Sequence, residues 1–207
     1  DWQRLFKTGA ACDLYLATDP DAASDRQSPV SGDVRVLLSY VGNKSLAVLY
    51  RPVAPGASPD KALRITSPVG ETLIDHVEQL TSARLLRTID PLSPNQYTIE
   101  AAIPLKAIGL KATDDLRLKI DWGLLVSGPE GHDVLRRVYW ANQATQIIAD
   151  APSEARLSPH LWGHVLFHDH RPSAEDRLAD DTIDGSKKPT KAQKDAAEEL
   201  LDDLKKK

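Results

Sequence analysis

The chain has 207 residues, with 26 Lys and Arg against 30 Asp and Glu, a formal net charge of −4, one cysteine and no methionine. That length suits one domain with a buried core, and the mild acidity argues against a nucleic-acid binder, which carries a basic stripe. No apolar run approaches the roughly 18–20 residues of a membrane helix, so no bilayer span is expected, and Cys12 alone forms no internal disulfide.

In chain order, Trp2, Leu5 and Phe6 offer a short strand that Lys7-Thr8-Gly9 ends. Alternation with period two then marks Leu14/Leu16, Val34/Val36/Leu38/Tyr40, Leu46/Val48/Tyr50 and Tyr97/Ile99/Ala101/Ile103. The clearest run is Leu116, Leu118, Ile120, Trp122, Leu124 and Val126, with Arg117, Lys119 and Asp121 facing the other way. Val134/Val138/Trp140 and Val165/Phe167 complete the set. Turn signals such as Asp19-Pro20, Val41-Gly42-Asn43 and Ser127-Gly128-Pro129 separate the runs. Pro104 stops the fourth run, and one helical turn is expected to close at Gly109.

Many short strands at this spacing predict an all-β, antiparallel two-sheet sandwich of jelly-roll type over residues 1–170. Its core is expected on Leu118, Ile120, Trp122, Leu124, Ile99 and Ile103. Residues 171–189 are charged and without aromatics, which reads as a linker. Thr190 and Gln193 have capping-box spacing, and Ala192, Ala196, Leu200 and Leu204 recur at i+4, so residues 190–207 read as an amphipathic helical tail.

Chemistry-bearing motifs are few. Nucleophile elbows, phosphate loops and dinucleotide fingerprints are absent from the sequence, and the paired carboxylates (Asp114-Asp115, Asp180-Asp181, Asp202-Asp203) fall in polar stretches, so catalysis is not expected. Trp140 sits among Arg137, Tyr139 and Asn142, a mixture suited to a sugar: a flat ring stacks on a pyranose while polar groups bond its hydroxyls. The competing reading has Trp140 plugging the end of the sandwich. His164 and His168 would share a strand face and have the spacing of metal or haem ligands, although an exposed polar face explains them more simply. Asp13, Asp19 and Asp33 lie at one end of the early strands, where a structural Ca²⁺ is a further candidate without any recognised loop motif.

Glu100-Ala101-Ala102-Ile103-Pro104-Leu105-Lys106-Ala107-Ile108-Gly109 resembles the Glu-x-x-Ile-Pro segment of family 9 carbohydrate-binding modules and their DOMON-related relatives. Ala11-Cys12-Asp13-Leu14-Tyr15-Leu16-Ala17 is similar to their exposed Asp-Leu-Tyr strand. Lys119 to Gly123, Arg136 to Asn142, and Pro159-His160-Leu161-Trp162-Gly163 follow in the family's order. The resemblance implies a β-sandwich that binds a polysaccharide or glycan without catalysis. It also implies an accessory module of a larger extracytoplasmic protein, whether periplasmic, cell-surface or secreted. Arg137, Tyr139, Trp140 and Asn142 would then form the ligand face. Two alternatives are a structural or interaction domain that kept the fold, and a haem-binding relative. Because the family's opening strands precede the Asp13-Leu14-Tyr15 strand, an upstream polypeptide or neighbouring subunit is expected to cover a sheet edge beside it.

Overall fold

The computed structural model describes residues 1–68, 70–89, 92, 97–128, 130–131, 133–144 and 151–167. The linker and tail expected over 171–207, and His168, lie outside them. The chain is mostly antiparallel β, in the sandwich-like arrangement expected. Among the described residues no helix is long and apolar enough to cross a membrane.

Seven strands make the main sheet: β1 (Ala11–Ala17), β2 (Asp33–Val41), β3 (Lys44–Arg51), β6 (His76–Gln79), β9 (Leu116–Ser127), β10 (Val134–Tyr139) and β11 (Gly163–Phe167). The order is β10-β9-β1-β2-β3-β6, and β11 also pairs with β9. β4 (Leu63–Ser67) with β5 (Gly70–Ile74), and β7 (Arg84–Ile89) with β8 (Tyr97–Ala102), form two separate hairpins. Sequence alternation did not single out β4 to β7; these strands are short and partly exposed, so their apolar pattern is thin.

Each face of the main sheet is buried differently. On one, Leu37, Val48, Tyr50 and Leu125 pack against Ile65 and Ile74 of the β4–β5 hairpin and against Leu5 and Phe6. The first residues are therefore no strand: Trp2–Arg4 is a 3-10 turn capped by the Asp1 carboxylate, and it drops Phe6 into the core edge-on to Tyr50. On the other face, Leu16, Val36, Leu49 and Leu118 meet Leu80, Leu85, Ile103, Ile108 and Leu110. Ile108 arrives on α1 (Leu105–Ile108), which ends as expected at Gly109 in the left-handed conformation (φ 80°). A glycine has no Cβ to clash there, and its N–H closes the turn onto the Leu105 and Lys106 carbonyls.

β9 corrects the expected core. Its alternating residues do share a face, but the cover of α1 and the β7 strand reaches only Leu116, Leu118 and Ile120. Beyond them, Trp122 is 46 %, Leu124 53 % and Val126 43 % exposed. Two of the charged positions of the same strand turn inward instead: Lys119 and Asp121 are buried, while Arg117 is exposed. They stand there because they are bonded. The Lys119 ammonium donates to the carbonyls of Ser24 (2.7 Å) and His160 (3.2 Å), and Asp121 accepts the N–H groups of Ala141 and Asn142. Of the other residues expected inside, Ile103 packs against the core from its edge and Ile99 is half-buried.

β1 is likewise not beside an open edge. It lies in the middle of the sheet, paired with β2 on one side and β9 on the other. β10 and β11 follow each other along the same side of β9, one against residues 123–127 and one against 116–120.

These burials separate two leucines that share one face of β9. Leu118→Ala should lower stability by about 2–5 kcal/mol, as for a buried leucine, whereas Leu124→Ala should cost less than about 1 kcal/mol. Urea unfolding midpoints at unchanged m-value would measure both, and an equal loss at the two positions would contradict the half-covered face.

Candidate ligand-binding cleft

Strand alternation puts Asp13 and Tyr15 of β1, Arg35 of β2, and Arg137 and Tyr139 of β10 on the face that Phe6 and the β4–β5 hairpin cover. At its centre is an ion pair, both partners 1 % exposed: Arg35 Nε donates to Asp13 Oδ1 (2.9 Å) and Nη2 to Oδ2 (2.7 Å). The two parallel bonds match the guanidinium fork to the carboxylate. Nη1 donates to the Glu154 carbonyl at 3.0 Å, and the guanidinium lies 5.2–5.9 Å from the ring centroids of Tyr15, Phe6 and Tyr50. Asp13 Oδ2 also accepts the hydroxyls of Tyr139 (2.7 Å) and Tyr15 (3.1 Å).

A second charge cluster adjoins the first. α2 (Ala151–Ala155) brings Glu154, whose Oε2 accepts from Arg137 Nη2 (2.7 Å) and whose Oε1 accepts from Lys7 Nζ (3.0 Å). Arg137 Nη2 also donates to the Phe6 carbonyl at 2.6 Å. Arg137 Nε is buried and has no acceptor among the described residues.

Above these clusters opens a cleft of about 230 Å³, walled by Tyr139, Trp162, Asn142, Arg137, Glu154 and Arg156. Backbone details shape it. A Cβ on Gly123 would come within 2.2 Å of the Val138 carbonyl and 2.5 Å of the Tyr139 ring, so only glycine lets that ring lie down on β9. Asp121 fixes the chain as it leaves β10 by accepting from Ala141 N (2.9 Å) and Asn142 N (3.0 Å). Trp162 stacks on Tyr15 with centroids 5.5 Å apart, and Arg26, paired with Asp33, covers its outer side.

Three of the four residues expected on the ligand face therefore meet: Arg137, Tyr139 and Asn142. Trp140 does not. Alternation sends it to the opposite side of the sheet, where it stacks on Trp122 with centroids 4.5 Å apart and planes 4° apart. Its benzo ring lies against Gly163, where a Cβ would be 2.3 Å away. Trp140 fills the notch where β10 gives way to β11, and it is 45 % exposed. The run Val134/Val138/Trp140 misled because a register shift between Val134 and Arg136 puts Val134 against the core and leaves Val138 outside.

Among the described residues the metal candidates do not assemble, and His168 lies outside them. Asp13 and Asp33 are each held by an arginine, Asp19 is exposed in the turn after β1, and His164 is exposed on β11. Among the described residues no three His, Cys, Asp or Glu side chains gather as a metal site. Sequence reading missed Arg35, Glu154 and Arg156. Glu154 lies 141 positions from Asp13, so no periodicity joins them; Arg35, in the middle of an apolar strand, was the available signal.

Burial raises the Tyr139 phenol to about 12, with the Asp13 charge adding to it. Burial also lifts Tyr15 well above the ordinary range, and Tyr50 with it. Compared with protein-family models, with curated proteins and with solved structures, the chain matches none.

A group whose pKa is raised by folding stabilises the fold fully below its unfolded value and loses that contribution above it. With unfolded tyrosine near 10, stability should be level up to about pH 9 and fall steeply as pH rises through 10 to 12. Urea midpoints at pH 8 and 11, read beside tyrosinate absorbance, would show it; free ionisation of all five tyrosines in the folded protein at pH 11 would contradict the buried cluster.

Proposed function

We propose that this chain is a non-catalytic carbohydrate-binding-type module, an accessory part of a larger extracytoplasmic protein, and that its ligand enters the cleft beside β10. The observation that carries this reading is the composition of that cleft: Tyr139 supplies an aromatic wall, Trp162 adjoins it between Tyr15 and Arg26, and Asn142, Arg137 and Glu154 stand around them. Sugars are recognised by such a mixture, apolar against the C–H face of the ring and polar against its hydroxyls. The volume, about 230 Å³, suits one or two sugar rings better than a flat polysaccharide surface. The likeness of the Ile103-Pro104 segment and of the Pro159–Gly163 stretch to family 9 modules supports the same class. Trp140 has no part in it, since Trp122 and Gly163 already occupy its ring.

A glycan array followed by calorimetry tests this. Asn142→Ala should weaken the best ligand by about 1 kcal/mol, the worth of one hydrogen bond, while Trp140→Ala should leave affinity unchanged. Binding lost in Trp140→Ala and kept in Asn142→Ala would move the site to the other face, and a blank array would end the proposal.

The uncovered half of the opposite face favours a second reading, an interaction domain. Trp122, Leu124, Val126, Leu135 and Val138 on neighbouring strands β9 and β10, and Trp140 just after β10, are all 43–57 % exposed. Contiguous apolar surface of this kind marks contact with another polypeptide, here a neighbouring subunit. Light scattering should then show a mass above that of one chain, rising with concentration, and Leu124→Glu should return it to the monomer. A monomer at every concentration would count against this reading.

A further inference from the structure

The charges around the cleft do not balance. Glu154 is shared between Lys7 and Arg137, and Asp13 is consumed by the Arg35 fork and two tyrosine hydroxyls. Of the charged side chains that line the cleft, two are cations, Arg137 and Arg156, and one is a carboxylate, Glu154, whose oxygens are already engaged. Arg156, exposed at the cleft wall, has no ion pair among the described residues. Arg137 keeps a buried Nε donor without an acceptor. This surplus stands in a chain whose net charge is −4. Buried donors are almost always satisfied, and an unfilled donor on a residue that lines an open cavity marks that residue as a place for a ligand acceptor. Arginine binds a carboxylate through its planar fork better than any neutral hydroxyl.

From this we infer that the cleft takes an acidic sugar, a uronic acid residue, with its carboxylate directed to Arg137 and Arg156 and its ring beside Tyr139. The inference rests on the carbohydrate-binding reading above and narrows it to one substrate class. Neutral hydroxyls would leave the surplus charge uncompensated, whereas one carboxylate neutralises it and supplies an acceptor at the wall.

Calorimetry on the full chain with D-glucuronate, D-galacturonate, D-glucose, D-galactose and acetate tests both levels. The acidic sugars should bind at least tenfold more tightly than their neutral counterparts, and affinity should fall as salt rises. Arg156→Gln, a change at an exposed position, should bring acidic and neutral sugars to within about twofold of each other. Arg137→Lys, which keeps the charge and removes Nε, should weaken the acidic sugars alone. Neutral sugars binding as well as uronates would overturn this inference and leave the carbohydrate reading standing. Acetate matching the uronates would also overturn it, since the site would then read a carboxylate without a ring. No binding by any sugar, acidic or neutral, would overturn both.

Discussion

The Arg35–Asp13 pair sits at the middle of the main sheet, on adjacent central strands, and the covered face is organised around it. Removing two charges from water costs several kcal/mol for each ion, and the mutual attraction repays this only when the remaining donors and acceptors are also filled. Here they are filled. The third guanidinium nitrogen reaches the Glu154 carbonyl, three aromatic rings surround the cation, and two phenols complete the carboxylate. Apart from Tyr15, which shares β1 with Asp13, those partners come from different parts of the chain, so the pair specifies where β10, α2 and the N-terminal turn must lie. Loss of either partner would leave a bare charge, typically a cost of about 3–5 kcal/mol.

Much of the strand plan was legible in the alternation. β1, β2, β3, β8, β9 and β11 fall on the runs that apolar periodicity marks, and Gly109 ends its helical turn as its position after Ile108 implies. The faces were harder to read. Alternation tells which residues point the same way but not which side receives a cover, and β9 shows the difference. Its apolar side is covered for half its length, and on its charged side Arg117 is exposed while Lys119 and Asp121 are inside because they find backbone partners from loops far along the chain. A backbone carbonyl at Ser24 leaves no trace in residue type.

The candidate site was legible to the same degree. Arg137, Tyr139 and Asn142 stand together because they share a face and the loop that follows it, while Trp140, the residue most attractive by type, is one position out of phase. Glycines account for the detail. Gly123 makes room for the Tyr139 ring on one side of β9, and Gly163 makes room for the Trp140 ring on the other side of the sheet. The two aromatic neighbours of β10 thus lie down on opposite faces of one sheet, each over a residue without a side chain.

Tyr139 joins the two halves of this arrangement: its ring walls the cleft and its hydroxyl donates to Asp13 in the core. A ring so tethered cannot swing aside without stripping a donor from a buried carboxylate. The cleft therefore keeps its shape before anything enters it, and a guest would meet a wall already in place. Little side-chain freedom remains to be lost on that side, so selectivity would come from fit and charge rather than from adjustment to each newcomer.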